Sequence, residues 1–431
     1  MPPLPLLPLP QRRHCLGLVA AALVLPRLAA AQFRVEISGV GATQLPVAIT
    51  KFRDEDKSGQ PISAIVRADL ERSGVFRFVD SSGDLDELAR PVFTDWRGRG
   101  ADALAAGSVS RLADGRFDVR YKLWDVVRGT DQGGQSLAVV AADLRLAAHR
   151  IADAIYEKLA GDKAVFSTRI AYVTKSANRF TLRVTDADGE GGQVALASAQ
   201  PIISPAWSPD GRSLAYVSFE QGKASIYVQD VASGQRRAVA NHRGSNSAPA
   251  WSPDGNQLAV ALSRDGLTQL YLIDRQGERL QRITNSPAID TEPCFSPDGR
   301  TLYFVSDRGG GPQIYRMPAG GGAAERVTFS GNYNISPAIS PDGRTLAYVT
   351  RNGGAFKVMT LDLAGGSPQS VSDTSDDESP SFAPNGKLII YATRSGGRDV
   401  LMTTTLDGRI KTRLLSSGVD VREPVWGPYG R

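Results

Sequence analysis

His149, His242 and Cys294 are the residues on which acid–base, nucleophilic or metal chemistry would have to be built once an N-terminal leader is set aside. The two histidines lie far apart in sequence, and no Cys and His occur at metal-ligand spacing. Calcium loops of the D-x-D-x-D-G type are absent, and no G-x-S-x-G elbow places one of the many serines on a strained strand-to-helix turn. Gly98-Arg99-Gly100 and Gly129 to Gly134 do not form a strand-to-helix phosphate loop, so hairpin turns are expected there. Asp186-Ala187-Asp188-Gly189 reads as a turn and no more, and His149, on an expected helix, reads as a surface residue. No catalytic, cofactor-binding or metal-binding residues are therefore expected, and the chain reads as a non-enzymatic binder of other proteins. With Cys294 as the one cysteine beyond the leader, no internal disulfide is possible.

What remains is surface, and the elements that present it are repeats. SPAWSPDGRSLAYVS from Ser204 recurs as APAWSPDGNQLAVAL from Ala248, EPCFSPDGRTLYFVS from Glu292, SPAISPDGRTLAYVT from Ser336 and SPSFAPNGKLIIYAT from Ser379, with a truncated EPVWGPYGR from Glu423. The opening prolines Pro205, Pro249, Pro293, Pro337, Pro380 and Pro424 are 44, 44, 44, 43 and 44 residues apart. A period in the low forties with four short β-patterned runs is the length of one propeller blade. In each unit a bulky apolar residue (Trp207, Trp251, Phe295, Ile339, Phe382, Trp426) suits a wedge between neighbouring sheets, and Ser-Pro-Asp-Gly suits a tight reversal. Arg169 to Thr174 and Phe180 to Asp186 match second and third strands with no first strand before them. The stretch from Glu423 to Tyr429 supplies it, which predicts six blades closed by the C-terminal strand rather than an open β-solenoid.

Residues just before each Pro-x-Trp motif enter the innermost strands, so they should ring one mouth of the central channel. They are Ser245, Asn246, Ala248, Asp290, Thr291, Glu292, Asn334, Asp377, Glu378, Arg422 and Glu423, and together they form the candidate partner-binding site.

Upstream, Arg12-Arg13-His14, an apolar run from Cys15 to Leu25 and Ala29-Ala30-Ala31 read as an export signal over residues 1–31, too short in its apolar core to span a membrane. Cleavage there removes three arginines and changes 50 basic against 45 acidic residues to 47 against 45. That near-neutral, scattered charge argues against nucleic acid. Residues 44–165 read as an α/β domain: strands at Leu45 to Phe52, Val75 to Val79, Ala101 to Val109, Phe117 to Val127 and Ser136 to Val140, with helices at Ile62 to Ser73 and Leu144 to Leu159. Between leader and domain, residues 32–43 alternate apolar and polar side chains. They read either as the domain's first strand or as a detachable segment, led by Gln32, Phe33, Arg34, Val35, Glu36, Ile37, Ser38, Gly39 and Val40, that adds as a strand to another protein. The fold class is thus an α/β N-terminal domain followed by a six-bladed β-propeller over residues 166–431.

The leader, QFRVEISGV, the α/β domain, the PAWSPDGxxLAYVS units and the WGPYGR end together resemble the TolB family, the periplasmic component of the Tol–Pal envelope system, along essentially the whole chain. The propeller motif (PD40/WD40-like) alone is shared with peptidases and other propellers. The resemblance implies a soluble periplasmic monomer without cofactor, binding the lipoprotein Pal at the propeller mouth and TolA through the N-terminal segment, and touching membranes only through partners. It also implies roles in outer-membrane integrity and division, and exploitation by bacteriocins; the rival reading is a periplasmic propeller hydrolase or lyase. Ile339 and Phe382 in place of Trp, Ala-Pro-Asn-Gly at the fifth turn and the small Ser245 at the mouth depart from the expected pattern.

Overall fold

A computed structural model of the chain describes residues 37–38, 44–83, 85–414 and 419–430. The expected export signal and Gln32, Phe33, Arg34, Val35, Glu36, Gly39 and Val40 of the N-terminal segment lie outside the described residues, and Ile37 and Ser38 are described as backbone. In chain order the first elements are β1 (Ile37–Ser38), β2 (Leu45–Ile49), α1 (Ile62–Arg72), β3 (Phe76–Phe78), α2 (Phe93–Gly98), β4 (Ala103–Arg111), β5 (Phe117–Asp125), β6 (Thr130–Val139) and α3 (Leu144–Ala160).

The N-terminal domain is one mixed sheet in the order β3-β2-β4-β5-β6, parallel across β3, β2 and β4 and antiparallel beyond. Strand alternation splits its apolar side chains between two faces. Val47, Ile49, Ala103, Ala105 and Leu123 face α1 and α3, whose Ile62, Ile65, Val66, Leu70, Ile151 and Ile155 are fully buried. Ala48, Leu104, Ala106 and Trp124 meet Trp96 of α2 on the other side. The sequence pattern had no period with which to announce α2, six residues long with one buried side chain. Gly98 ends that helix, so Gly98-Arg99-Gly100 is not a hairpin. The β5–β6 reversal is made by residues 126–129, and Gly133 and Gly134 belong to the strand. A Cβ on Gly134 would stand 2.1 Å from the Tyr121 carbonyl oxygen, so glycine is there for close approach and not for a turn.

The remaining strands make six four-stranded antiparallel blades. Blade two runs through Ile202–Trp207, Ser213–Ser218, Ser225–Asp230 and Arg236–Ala240, and blades three to six repeat it from Asn246, Asp290, Asn334 and Glu378. Blade one takes Arg169–Ser176, Arg179–Asp186 and Gln193–Ser198, with its innermost strand supplied by Asp420–Trp426 in the register Arg422 to Val173 and Trp426 to Ile170. The ring is closed as the repeat predicted. Each wedge residue packs on the preceding blade: Trp251 on Ala215, Val217 and Ile226, Phe382 on Ala347 and Val358, Trp426 on Ile390, Ala392 and Leu401. The turns link up too. Gly211, Gly255, Gly299, Gly343 and Gly386 all have φ between 68 and 73°, and a Cβ on each would meet Pro428, Pro209, Pro253, Pro297 and Pro341 of the neighbouring turn.

The fifth turn explains its own departure. Asn385 Nδ2 donates to the Lys163 carbonyl at 3.0 Å, on the segment that leads into blade one. The aspartate found at the first four turns accepts hydrogen bonds but has no proton to give.

Candidate functional site

Every innermost strand carries one residue in the left-handed region immediately before its proline: Ser204, Ala248, Glu292, Ser336, Ser379 and Glu423, with φ between 48 and 55°. At the same place the strand slips register against its partner, between Thr291 and Cys294 for example, or Arg422 and Val425. This bulge turns the backbone toward the channel once per blade. The six residues are half-buried, three of them serine, and form a ring with six-fold repetition in backbone and none in chemistry.

Two of the ring's side chains cross blade boundaries. Glu423 Oε2 accepts from the Ser204 amide at 3.2 Å, and Glu292 Oε2 accepts from the Ser336 amide at 2.6 Å. Glu378 lies near enough to act on Glu423. Burial raises the carboxyls of all three above the ordinary glutamate value. At Glu423 burial and the adjacent Glu378 charge push it up to about 7. Beside them a cavity of about 180 Å³ is lined by Asp376, Glu378, Thr393, Arg394, Asp399 and Arg422, with Arg422 Nε donating to Asp399 at 2.7 Å.

The residues expected at the mouth divide in two. Ser245 and Arg422 are exposed, and Ala248, Thr291, Glu292, Glu378 and Glu423 are half-buried at the channel. For Asn246, Asp290, Asn334 and Asp377 the expectation is corrected: their side chains are buried. Asn246 Nδ2 donates to the Ala224 and His242 carbonyls at 3.1 and 2.9 Å, and Asn334 Nδ2 to Gln313 Oε1 at 2.8 Å. Asp290 accepts from Ser286 and Arg308, and Asp377 from Ser372, Thr374 and Thr393. These four fasten a blade to the strands before it, because a polar side chain at the start of a buried strand must find its partners inside. Missing from the expected set were Ser204, Ser336 and Ser379. Their repeat position matches that of Ala248, Glu292 and Glu423, which was the signal available for them.

Two further features bear on partners. Ile37 and Ser38 do not extend the N-terminal domain's own sheet; they pair antiparallel with Thr412 and Lys411 on the outer edge of blade six. That overturns the first-strand alternative for these two residues. Close by, a cavity of about 610 Å³ is walled by Gln44, Val75, Tyr156, Phe166, Leu388 and Ile410, between the N-terminal domain and blade six. His149, expected on the surface, is fully buried among acids, because blade one covers the helix face that carries it.

The register sets the N-terminal domain and the mouth at opposite ends of the blades. Arg169, next to the wedge end of blade one, pairs with Asp186, whereas Lys175 at the other end pairs with Asp420 at the mouth. The class is therefore a closed six-bladed propeller carrying an α/β domain at one end and a strained, acidic ring toward the other.

A family model described as "TolB beta propeller domain" matches residues 156–430, and one described as "TolB amino-terminal domain" matches residues 33–132. The chain belongs to the TolB family. It is 64% identical over 239 residues to the Tol-Pal system protein TolB of Albidiferax ferrireducens, covering 55% of this chain and 56% of that protein. To the protein of the same name from Polaromonas naphthalenivorans it is 62% identical over 238 residues, 55% of this chain and 56% of that one. The matched stretches thus span about half the length of these curated relatives. The crystal structure of TolB from Acinetobacter baumannii superposes with a TM-score of 0.84 at 39% identity, over 92% of this chain and all of that one.

Proposed function

We propose that this chain is a non-enzymatic adaptor of the Tol–Pal system, resident in the periplasm, that binds Pal at the propeller mouth and TolA through residues 32–43. The observation that carries the reading is the pairing of Ile37 and Ser38 with the edge of blade six by two residue pairs, a contact small enough to be exchanged for a partner. The strained ring with Glu292, Glu378, Glu423 and Arg422 supports recognition at the mouth, since polar groups held half-desolvated by their own blades are pre-organised for a partner. Whether the segment is docked or free then modulates Pal affinity. Among the described residues no helix is long and apolar enough to cross a membrane, which fits contact with membranes through partners. Support of outer-membrane integrity and of constriction at division, and use by bacteriocins, follow from the same reading. The hydrolase alternative would lean on two histidines, one of which, His149, is enclosed by aspartates.

Deleting residues 32–43 and measuring both affinities by calorimetry tests it. TolA binding should be lost and Pal affinity should change; unchanged affinity for both partners would remove the adaptor mechanism.

A further inference from the structure

We propose that Arg72, Arg145 and a permanently protonated His149 form a cationic socket on the N-terminal domain that grips Asp186 and Asp188 of blade one, and that this charge match fixes the domain's angle on the propeller. The turn read from sequence as mere punctuation is the propeller's half of the joint.

The buried centre of the joint is His149 with Asp69 and Asp188. On α1, Asp69 pairs with Arg72 and stands 2.6 Å from His149 Nδ1. On α3, Arg145 donates to Asp186 at 3.1 Å through Nε and to Asp188 at 2.7 Å through its terminal nitrogen. His149 Nε2 lies 3.4 Å from Asp186 and 3.8 Å from Asp188, an ionic contact rather than an aligned hydrogen bond. Asp188 Oδ1 also accepts the Glu190 amide at 2.9 Å. His149 and Asp69 have no exposed side-chain surface, and Asp188 has 2%.

The charges around His149 favour its protonated form. In this contact set three acids, Asp69, Asp186 and Asp188, face Arg72 and Arg145, so a neutral imidazole would leave a net negative charge around a buried centre, which burial penalises. With His149 charged the set is balanced, two net positive charges from the N-terminal domain against two negative ones from blade one. Among the described residues, further charged groups nearby include Asp153 on α3, Glu190 after the turn and Arg169 on the first strand of blade one. Burial works against the imidazolium, yet Asp69, Asp186 and Asp188 raise it to about 10. Burial likewise works against Asp188, and Arg72, His149 and Arg145 hold it below the ordinary aspartate value. A group raised in this way stabilises fully below its unfolded value near 6.5, loses that contribution progressively above it, and retains none beyond about 10. A depressed acid contributes above its unfolded value near 3.8. His149 thus keeps its charge in the folded protein across physiological pH, while the stability it contributes, full below about 6.5, declines as pH rises toward about 10. Asp69, His149 and Asp188 are close enough to hold a metal ion, but Arg72 and Arg145 already occupy their carboxylates.

The test uses the chain from residue 32 onward. Nitrogen shifts of labelled His149 should stay in the imidazolium range at pH 8.5; an imidazole titrating near 6.5 overturns the proposal whatever the variants do. His149→Gln should lower the melting temperature by roughly 5–10 °C and broaden the distance distribution between spin labels on residues 114 and 233. Adding Asp188→Asn to H149Q restores neutrality, so the double variant should recover a narrower distribution than H149Q alone, a rescue that lost packing would not give. A double variant as loose as the single one, or an H149Q protein indistinguishable from the parent, overturns the charge match. So does a rise of several degrees in parental melting temperature on adding zinc, which would make the cluster a metal centre.

Discussion

The seams between blades and the joint between the N-terminal domain and blade one are both buried, and they are built on opposite principles. At each seam a wedge such as Trp251 or Phe382 presses into the aliphatic side chains of the previous blade, six times over. At the joint, the N-terminal domain meets blade one through six charged side chains whose signs must balance. Hydrophobic contact tolerates a change of shape, which is why Ile339 and Phe382 can stand where Trp stands elsewhere. Paired buried charge tolerates far less, since removing one partner strands another. Redundant apolar seams secure closure; the ionic joint, made once, secures orientation.

The largest effect should come from breaking the seam at which the ring closes. Trp426 is 7% exposed, packs on blade six, and donates through Nε1 to Thr168 at 2.9 Å. Trp426→Ala should cost about 3–5 kcal/mol, read as a lower urea midpoint. A loss below about 1 kcal/mol would mean that the closing seam is dispensable. A smaller loss is expected at the apolar flank of the joint. Gly74 has φ 69°, and a Cβ there would lie 2.1 Å from Ile410 Cδ1 of blade six. Gly74→Ala should cost about 1–3 kcal/mol. Pairing it with Ile410→Ala should cost less than the two singles combined, since one change removes the collision the other makes.

The channel carboxyls sharpen the contrast through pH. Glu423 is raised to about 7 by burial and by Glu378, and the opposing charge of Arg422 does not offset them as His149 offsets the acids of the joint. A carboxyl raised in the folded state favours folding below its unfolded value of 4.5, and that contribution fades as pH rises through about 7. Glu423 should therefore contribute a fall of about 1–2 kcal/mol between pH 5 and pH 8, beside the decline His149 gives above about 6.5, and Glu423→Gln should make the slope shallower. A slope untouched by the substitution would place its origin elsewhere.

Local repetition made the propeller readable, and non-local pairing hid the rest. Proline spacing, wedges and turns recur within one unit, so blade number and closure followed from the chain alone. Asn334 and Asp377 looked like loop residues because the partners that bury them, Gln313 and Thr393, sit on other strands. His149 flanks the apolar stripe of α3, and only docking of blade one encloses it. One clue was available: Asp69 sits among Ile65, Val66 and Leu70 on the buried face of α1, and an acid in such a stripe requires a buried cation. Which cation it was, the helix pattern could not say. Gly133 and Gly134 misled for a related reason, since glycine serves close approach as well as turns.

The smallest effect belongs to the strained ring, where it separates geometry from use. Ala248 has φ 50° and a single methyl group, with no side chain to reach across a seam as Glu292 and Glu423 do. An L-residue in that region costs about 1–2 kcal/mol, and glycine gives back part of the relief through its freer unfolded chain. Ala248→Gly should thus stabilise by about 0.5–1 kcal/mol, seen as a higher urea midpoint, with Pal affinity unchanged within about twofold. Strain that merely turns the strand toward the axis can be released without consequence for the mouth, because the bulge is held by the ladder hydrogen bonds on either side of it. A variant that gains stability and binds Pal tenfold more weakly would mean that the methyl group, or the tension it records, is part of the binding surface. Function would then reside in the repeated seams of the ring as well as in the asymmetric charges set upon them.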